Sequence, residues 1–131
     1  MSGHLVLATL HTNNAAGAIT RLIDIGVEPF LLASSIIGVI GQRLIRLTCR
    51  ECQGKGCAQC MNTGYKGRSG IYELMIPNEE IRLLAMKKSS MDEIYRAAIK
   101  AGMKSLRDDG LLKSAKGITS QEEVLRVTQE E

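Results

Sequence analysis

The sequence predicts an α/β fold in which one or two short strands are followed by a mostly α-helical subdomain, with a small four-cysteine loop between them. Three observations carry this prediction: a short apolar run near the N-terminus, a segment rich in cysteine and glycine at residues 49–70, and repeated helix-capping patterns after Pro77. The 131 residues are 44% hydrophobic and 24% charged, which suits one domain and excludes a disordered or collagen-like chain.

The first predicted element is a strand over residues 5–10, because a nearly continuous apolar run is typical of a strand covered on both faces. Since this run begins close to the start of the sequence with nothing before it to pair with, we expect a further part of the protein to precede it. Asn13 or Asn14 then caps a predicted helix over residues 15–23, which Gly26 ends.

Pro29 is predicted to begin a second helix that runs to about Leu47. The uncharged stretch at residues 29–42 is shorter than the roughly 20 residues that a membrane-spanning helix needs. The first thirteen residues also lack the charged segment of a signal peptide. We therefore expect a cytoplasmic protein whose cysteines stay reduced.

The C-terminal half is predicted to be one short strand and then helices. Residues 71–76 alternate loosely like a strand, and a later helix buries the face that carries Ile81, Leu84 and Ala85. Two capping boxes, Ser90 with Glu93 and Thr119 with Glu122, predict further helix starts, and Ser105 with Asp108 is a third candidate start. The predicted organisation is therefore residues 1–48, the loop at 49–70, and the helical subdomain at 71–131.

The motif CRECQGKGCAQC supplies two CxxC pairs, and four thiolates are the ligand set of a structural zinc site. Five nearby basic residues would offset the negative charge of such a site: Arg46, Arg50, Lys55, Lys66 and Arg68. Only four residues separate the pairs, against about 15–20 in most such sites, so we expect strained tetrahedral geometry. Iron, an iron–sulfur cluster and metal-free thiols remain alternatives. The predicted ligands are Cys49, Cys52, Cys57 and Cys60.

A second candidate site follows the predicted first strand. His11, Thr12 and Asn13 precede a helix N-terminus, which favours anions, so phosphate or nucleotide chemistry is one interpretation. The other is that these side chains only satisfy the turn. His4 would point to the opposite face of an extended strand from His11, which argues against a two-histidine metal site. The sequence contains no GxxxxGK[ST] loop with which to cradle a triphosphate.

The composition argues against nucleic-acid binding, since the net charge is only +3 and aromatic residues make up 3% of the chain. A stand-alone four-cysteine interaction module is the alternative function. The segment CRECQGKG also fits the CxxCxGxG repeat of zinc-binding co-chaperones, but CAQCMNTG fits that repeat poorly.

Two blocks resemble the secretion ATPases of type II secretion and type IV pilus assembly. Residues 3–49, GHLVLATLHTNNAAGAITRLIDIGVEPFLLASSIIGVIGQRLIRLTC, resemble the His-box region and following helices of that family. Residues 57–75, CAQCMNTGYKGRSGIYELM, resemble its zinc-associated segment, and the helical tail resembles its C-terminal subdomain.

This resemblance implies the C-terminal part of a hexameric RecA-like P-loop motor ATPase, with the Walker A and Walker B elements before residue 1. By resemblance His4 and His11 are the His-box histidines. The resemblance implies that His11 is catalytic in the whole protein and that His11 and Thr12 contact the nucleotide, which binds as ATP with Mg²⁺. It also implies that the four cysteines bind zinc. The implied partners are copies of the same chain and platform proteins at the cytoplasmic face of the bacterial inner membrane. The resemblance assigns no role to Gln42 or Arg43.

Overall fold

The computed structural model describes residues 4–129, and within that range it has an α/β architecture of two antiparallel strands and six helices. The elements in order are α1 (Ala15–Asp24), α2 (Pro29–Ser35), β1 (Val39–Thr48), β2 (Tyr65–Met75), α3 (Glu79–Met86), α4 (Met91–Lys100), α5 (Leu106–Ala115) and α6 (Gln121–Val127). This confirms the predicted fold class. Residues 1–3 and 130–131, at the ends of the first and last predicted parts, lie outside the described range. The division into three parts stays a prediction.

The two strands form a long antiparallel hairpin in which Ile40 pairs with Leu74 and Ile45 pairs with Ser69. Side chains alternate between the two faces, so one face of the hairpin carries the buried Ile45 and Ile71. The opposite face exposes apolar side chains: Ile40, Leu44, Tyr72, Leu74 and Ile76. The cysteine loop connects the two strands at the far end of this hairpin.

The inner face of the hairpin packs against two separate apolar cores. The larger core joins α1, α2, α3 and α4 around Met75, and it buries Ile19, Leu32, Ile81 and Ile94. The smaller core consists of Ile45, Ile71, Leu106 and Val127, and so joins the hairpin to α5 and α6. The hairpin is therefore the element that both groups of helices share.

The predicted strand at residues 5–10 is wrong for the described chain, where this segment has no regular structure. Leu5, Val6 and Leu7 are 72%, 79% and 87% exposed. A strand needs a neighbour to satisfy its backbone N–H and C=O groups, and within the described range β1 and β2 pair only with each other. Apolar character alone therefore does not produce a strand here.

The predicted helix from Pro29 to Leu47 is also wrong beyond Ser35. The chain turns extended at Ile36, and residues 39–48 form β1. Long-range pairing with β2 overrides local helix propensity, because each residue of β1 gains ladder hydrogen bonds and every second side chain gains burial.

The predictions for the C-terminal half agree better with the structure. Ser90 and Ser105 cap α4 and α5, and Ser105 forms a reciprocal box with Asp108. The strand predicted at 71–76 is confirmed but begins earlier, at Tyr65. The last helix is capped by Ser120 rather than Thr119, whose hydroxyl instead donates to the carbonyl of Arg46 at 2.7 Å. Within residues 4–129, no helix is both long and apolar enough to span a bilayer.

Candidate metal centre and its surroundings

The loop between β1 and β2 brings four sulfur atoms together. The Sγ atoms of Cys49, Cys52, Cys57 and Cys60 all lie within 4.8 Å of one another, and none forms a disulfide. Three separations are 3.8 Å: Cys49 to Cys57, Cys52 to Cys60, and Cys57 to Cys60. Four sulfurs placed about 2.3 Å from a tetrahedral zinc ion would lie about 3.8 Å apart, so the cluster has the dimensions of such a site.

The short gap between the cysteine pairs does not prevent this arrangement, contrary to the strain that we expected from the spacing. The chain reverses through left-handed backbone conformations at Gln53, Gly54 and Gly56, whose φ angles are 52°, 90° and 105°. Gly64 also has positive φ, and a Cβ there would lie 2.6 Å from the carbonyl oxygen of Gly54. The glycines thus let the two halves of the loop approach closely.

Backbone N–H groups of the loop point at the sulfurs. The N–H of Gly56 donates to Cys52 Sγ at 3.1 Å, and the N–H groups of Cys57 and Gly64 donate to Cys60 Sγ at 3.3 and 3.2 Å. Burial raises the pKa of Cys60, but the N–H groups of Cys57 and Gly64 and the thiols of Cys57 and Cys52 outweigh it and lower the pKa to about 6. Cys60 is therefore prepared to be a thiolate, the form that binds metal.

The loop is fastened to the helical part through the end of the hairpin. The N–H of Thr48 donates to the carbonyl of Ile118 at 3.0 Å, and the Tyr65 hydroxyl lies 2.6 Å from Ser120 Oγ. The Arg46 guanidinium stacks on the Tyr65 ring, 4.2 Å from its centroid, and donates to the buried carboxylate of Glu123 at 2.9 Å. The orientation of the loop relative to α6 is therefore fixed by side chains at its base.

The histidine segment before α1 is solvent-facing. His4 and His11 are exposed, while Thr12 is half-buried and its hydroxyl donates to the carbonyl of Asn14 at 3.0 Å. Asn14 caps α1 by accepting from the N–H of Gly17 at 2.8 Å. No described contact joins His11 to the cysteine loop, and its imidazole is exposed.

Sequence reasoning missed that a buried carboxylate already lies at the N-terminus of α1. Glu73 accepts from the N–H of Ala15, the first residue of α1, at 2.5 Å. That amide is therefore not available to a phosphate, and the N–H of Gly17 is likewise taken by Asn14. A period-two reading of β2 would have found Glu73, because it falls between the inward-facing Ile71 and Met75.

Comparison with known proteins identifies one family. The family model described as "Type II/IV secretion system protein" matches residues 1–126. The chain is 50% identical over 138 residues to the type II secretion system protein HxcR of Pseudomonas aeruginosa, covering 99% of this chain and 29% of that protein. It is 44% identical over 155 residues to the type IV pilus assembly ATPase PilB of Thermus thermophilus, covering 98% and 17% respectively.

Among solved structures, the chain is similar to the pilus retraction motor PilT with bound ADP. The TM-score is 0.69 at 26% identity, over 96% of this chain and 33% of that one. The chain thus spans less than a third of the length of the curated relatives named here and a third of the chain of this motor.

Proposed function

This chain belongs to the type II/IV secretion system protein family, and from that premise we propose that it is the C-terminal part of a hexameric motor ATPase for type II secretion or type IV pilus assembly. The observation that carries the proposal is the match of the family model to residues 1–126, together with 44% identity over 98% of this chain to a named pilus assembly ATPase. The chain corresponds to 17% of that ATPase, so the nucleotide-binding loop would come from the remainder of the protein.

The proposed role of His11 is to sense or assist the reaction at the ATP γ-phosphate. Its exposure supports this role, since the imidazole can meet a phosphate or an attacking water held by another part of the protein. Thr12, beside it, would offer a hydroxyl on the same side. Mg²⁺ and ATP would be held mainly by the preceding Walker elements, because this sequence lacks the phosphate-cradling loop.

The proposed metal of the cysteine loop is zinc. Four sulfurs with the edge lengths of a zinc–thiolate tetrahedron, three backbone N–H donors aimed at them, and Arg50 and Lys55 in the same loop all suit a structural site. When bound, the ion supplies a cross-link rather than a reaction centre. The loop would serve as a rigid clip or as a docking surface for a platform protein at the cytoplasmic face of the inner membrane.

The test of the ATPase assignment is His11→Ala in the full-length hexamer. We expect kcat to fall while KM for ATP and hexamer assembly stay nearly unchanged, because the lost contact acts mainly in the transition state. His4→Ala is the matched control: it removes an equally exposed imidazole seven residues earlier. A slow His4→Ala enzyme beside an unaffected His11→Ala enzyme would reverse the assignment, and a full-length protein without ATPase activity would refute the proposed function.

A further inference from the structure

Two polar side chains lie on the inner face of the hairpin between its two apolar cores. Arg43 on β1 and Glu73 on β2 share this face, because Gly41 is the strand partner of Glu73 and Arg43 is two residues further along β1. We call this pair the polar seam. Met75 of the larger core lies on one side of Glu73 along β2, and Ile71 of the smaller core lies on the other side.

Glu73 bonds to both groups of helices. Its Oε1 accepts from the N–H of Ala15 at the start of α1 at 2.5 Å, and its Oε2 accepts from the N–H of Leu106 at the start of α5 at 3.1 Å. The residue is 2% exposed. Two helix N-termini, each with partial positive charge, therefore meet at one carboxylate.

Arg43 also bonds to two separate parts of the chain, but as a cationic donor. One guanidinium nitrogen donates to the carbonyl of Val127 at the end of α6 at 2.8 Å. Another donates to the carbonyl of Asn13 at 3.1 Å and approaches Asn13 Oδ1 at 3.5 Å. Arg43 thus holds Asn13, just before α1, and Glu73 holds Ala15, the first residue of α1. Each of the two also bonds to one of the last two helices, Arg43 to α6 and Glu73 to α5.

We propose that the polar seam positions residues 11–15 and couples them to α5 and α6. Arg43 and Glu73 are positioning residues for the reaction in which His11 takes part, and the inference in that respect rests on the proposed function. Apolar contacts are not directional, so packing alone fixes the position of the two cores relative to each other less strictly than hydrogen bonds do. Hydrogen bonds are directional, and breaking either bond of Glu73 leaves a buried backbone N–H unsatisfied, so the seam makes the two sides move together.

The first test uses the chain itself and needs no ATPase activity. Glu73→Gln keeps the shape of the side chain but replaces one acceptor oxygen with an NH₂ donor, which opposes one of the two N–H groups. Hydrogen exchange should become faster at the amides of residues 13–17 and 106–108, while α3 keeps the wild-type rate. Glu79→Gln is the matched control, since Glu79 is exposed in the first turn of α3. Unchanged exchange at both helix starts, or equal acceleration throughout the chain, would overturn the coupling.

The second test uses the full-length ATPase and a double-mutant cycle. Glu73→Gln should lower kcat by about tenfold with KM for ATP unchanged, and it should have little further effect once His11 is alanine, because it acts through that segment. If the losses in kcat from Glu73→Gln and His11→Ala are additive, Glu73 does not act through His11 and has only a structural role. If His11→Ala itself has no effect on kcat, the proposed role of His11 is refuted, while the hydrogen-exchange result still tests the coupling independently. Should Glu73→Gln not fold, Arg43→Gln carries the same two measurements through Asn13 and Val127.

Discussion

Replacing Glu123 with glutamine should destabilise the chain at neutral pH, and by less as the pH falls. Glu123 is 1% exposed, and its carboxylate accepts from the backbone N–H and the guanidinium of Arg46 and from the guanidinium of Arg126. Glutamine keeps the shape but loses the charge and places an NH₂ group against cationic donors. This contact fixes α6 to the end of β1, where the cysteine loop begins.

The magnitude follows from the pKa of the carboxyl group. The hydrogen bonds from Arg126 lower the pKa most, burial opposes them, and the bonds from Arg46 lower it further, to about 2 from an ordinary value of 4.5. A shift of that size corresponds to a ceiling of about 3 kcal/mol. The side chains of Arg46 and Arg126 are 43% and 58% exposed, so solvent screens them and we expect about 2 kcal/mol.

The sign of the pH dependence is set by the lowered pKa. Because the folded pKa lies below the unfolded one, the stabilisation is complete above the unfolded value of 4.5 and is lost as the pH falls towards about 2. The Glu123→Gln variant has no such titration. The difference in the free energy of unfolding between the two proteins should therefore be largest at neutral pH and shrink below about pH 4.5.

Urea denaturation at a series of pH values from 7 to 3 measures this difference. Glu122→Gln, next in sequence and exposed, is the matched control and should stay within about 0.5 kcal/mol of wild type. A deficit for Glu123→Gln that is constant over the whole pH range, or that Glu122→Gln shares, would refute the reasoning.

Three further outcomes are expected. Metal analysis of the chain purified without added metal should find close to one zinc per chain. Cys57→Ser should lose the zinc and lower the Tm, because the free energy of metal binding contributes to the free energy of folding. Four thiols that react freely in the native protein would contradict this prediction. The isolated chain should not turn over ATP, and activity above that of its His11→Ala variant would contradict the need for an external phosphate loop. Gly110→Ala should destabilise by about 1–3 kcal/mol in thermal or urea unfolding, despite the better helix propensity of alanine, because its Cβ would lie 2.6 Å from Val124 Cγ1; a stabilised variant would show that α5 and α6 can separate freely.

Features that depend on neighbouring residues were predictable from the sequence. The caps of α4 and α5 at Ser90 and Ser105 need only a hydroxyl and an amide three residues on. The last cap shows the limit of this reasoning, because Thr119 and Ser120 both fit the pattern and the choice is made by the distant carbonyl of Arg46. Strand β1 was missed for the same reason: its partner is β2, beyond the cysteine loop.

The same distinction between local and long-range contacts applies to the candidate site. The four cysteines are close in sequence, so their spacing revealed the cluster, although the positive φ angles that relieve the short gap were not foreseen. Glu73, Arg43 and Glu123 bond to groups far along the chain, at Leu106, Asn13 and Arg46. No local pattern names such partners: alternation along β2 marks Glu73 as inward-facing, but it does not say which groups the carboxylate bonds to.

The contact between Gly41 and Glu73 has a consequence for how the two positions can change during evolution. A Cβ at residue 41 would lie 2.8 Å from Glu73 Cγ, near the base of that side chain, so the carboxylate could not keep its place between α1 and α5. A sequence that gains a side chain at position 41 should therefore be found with a shorter residue at position 73, or with neither helix start bound there. Although the two positions lie on different strands, a substitution at one constrains the other, so residues 41 and 73 should covary among related sequences.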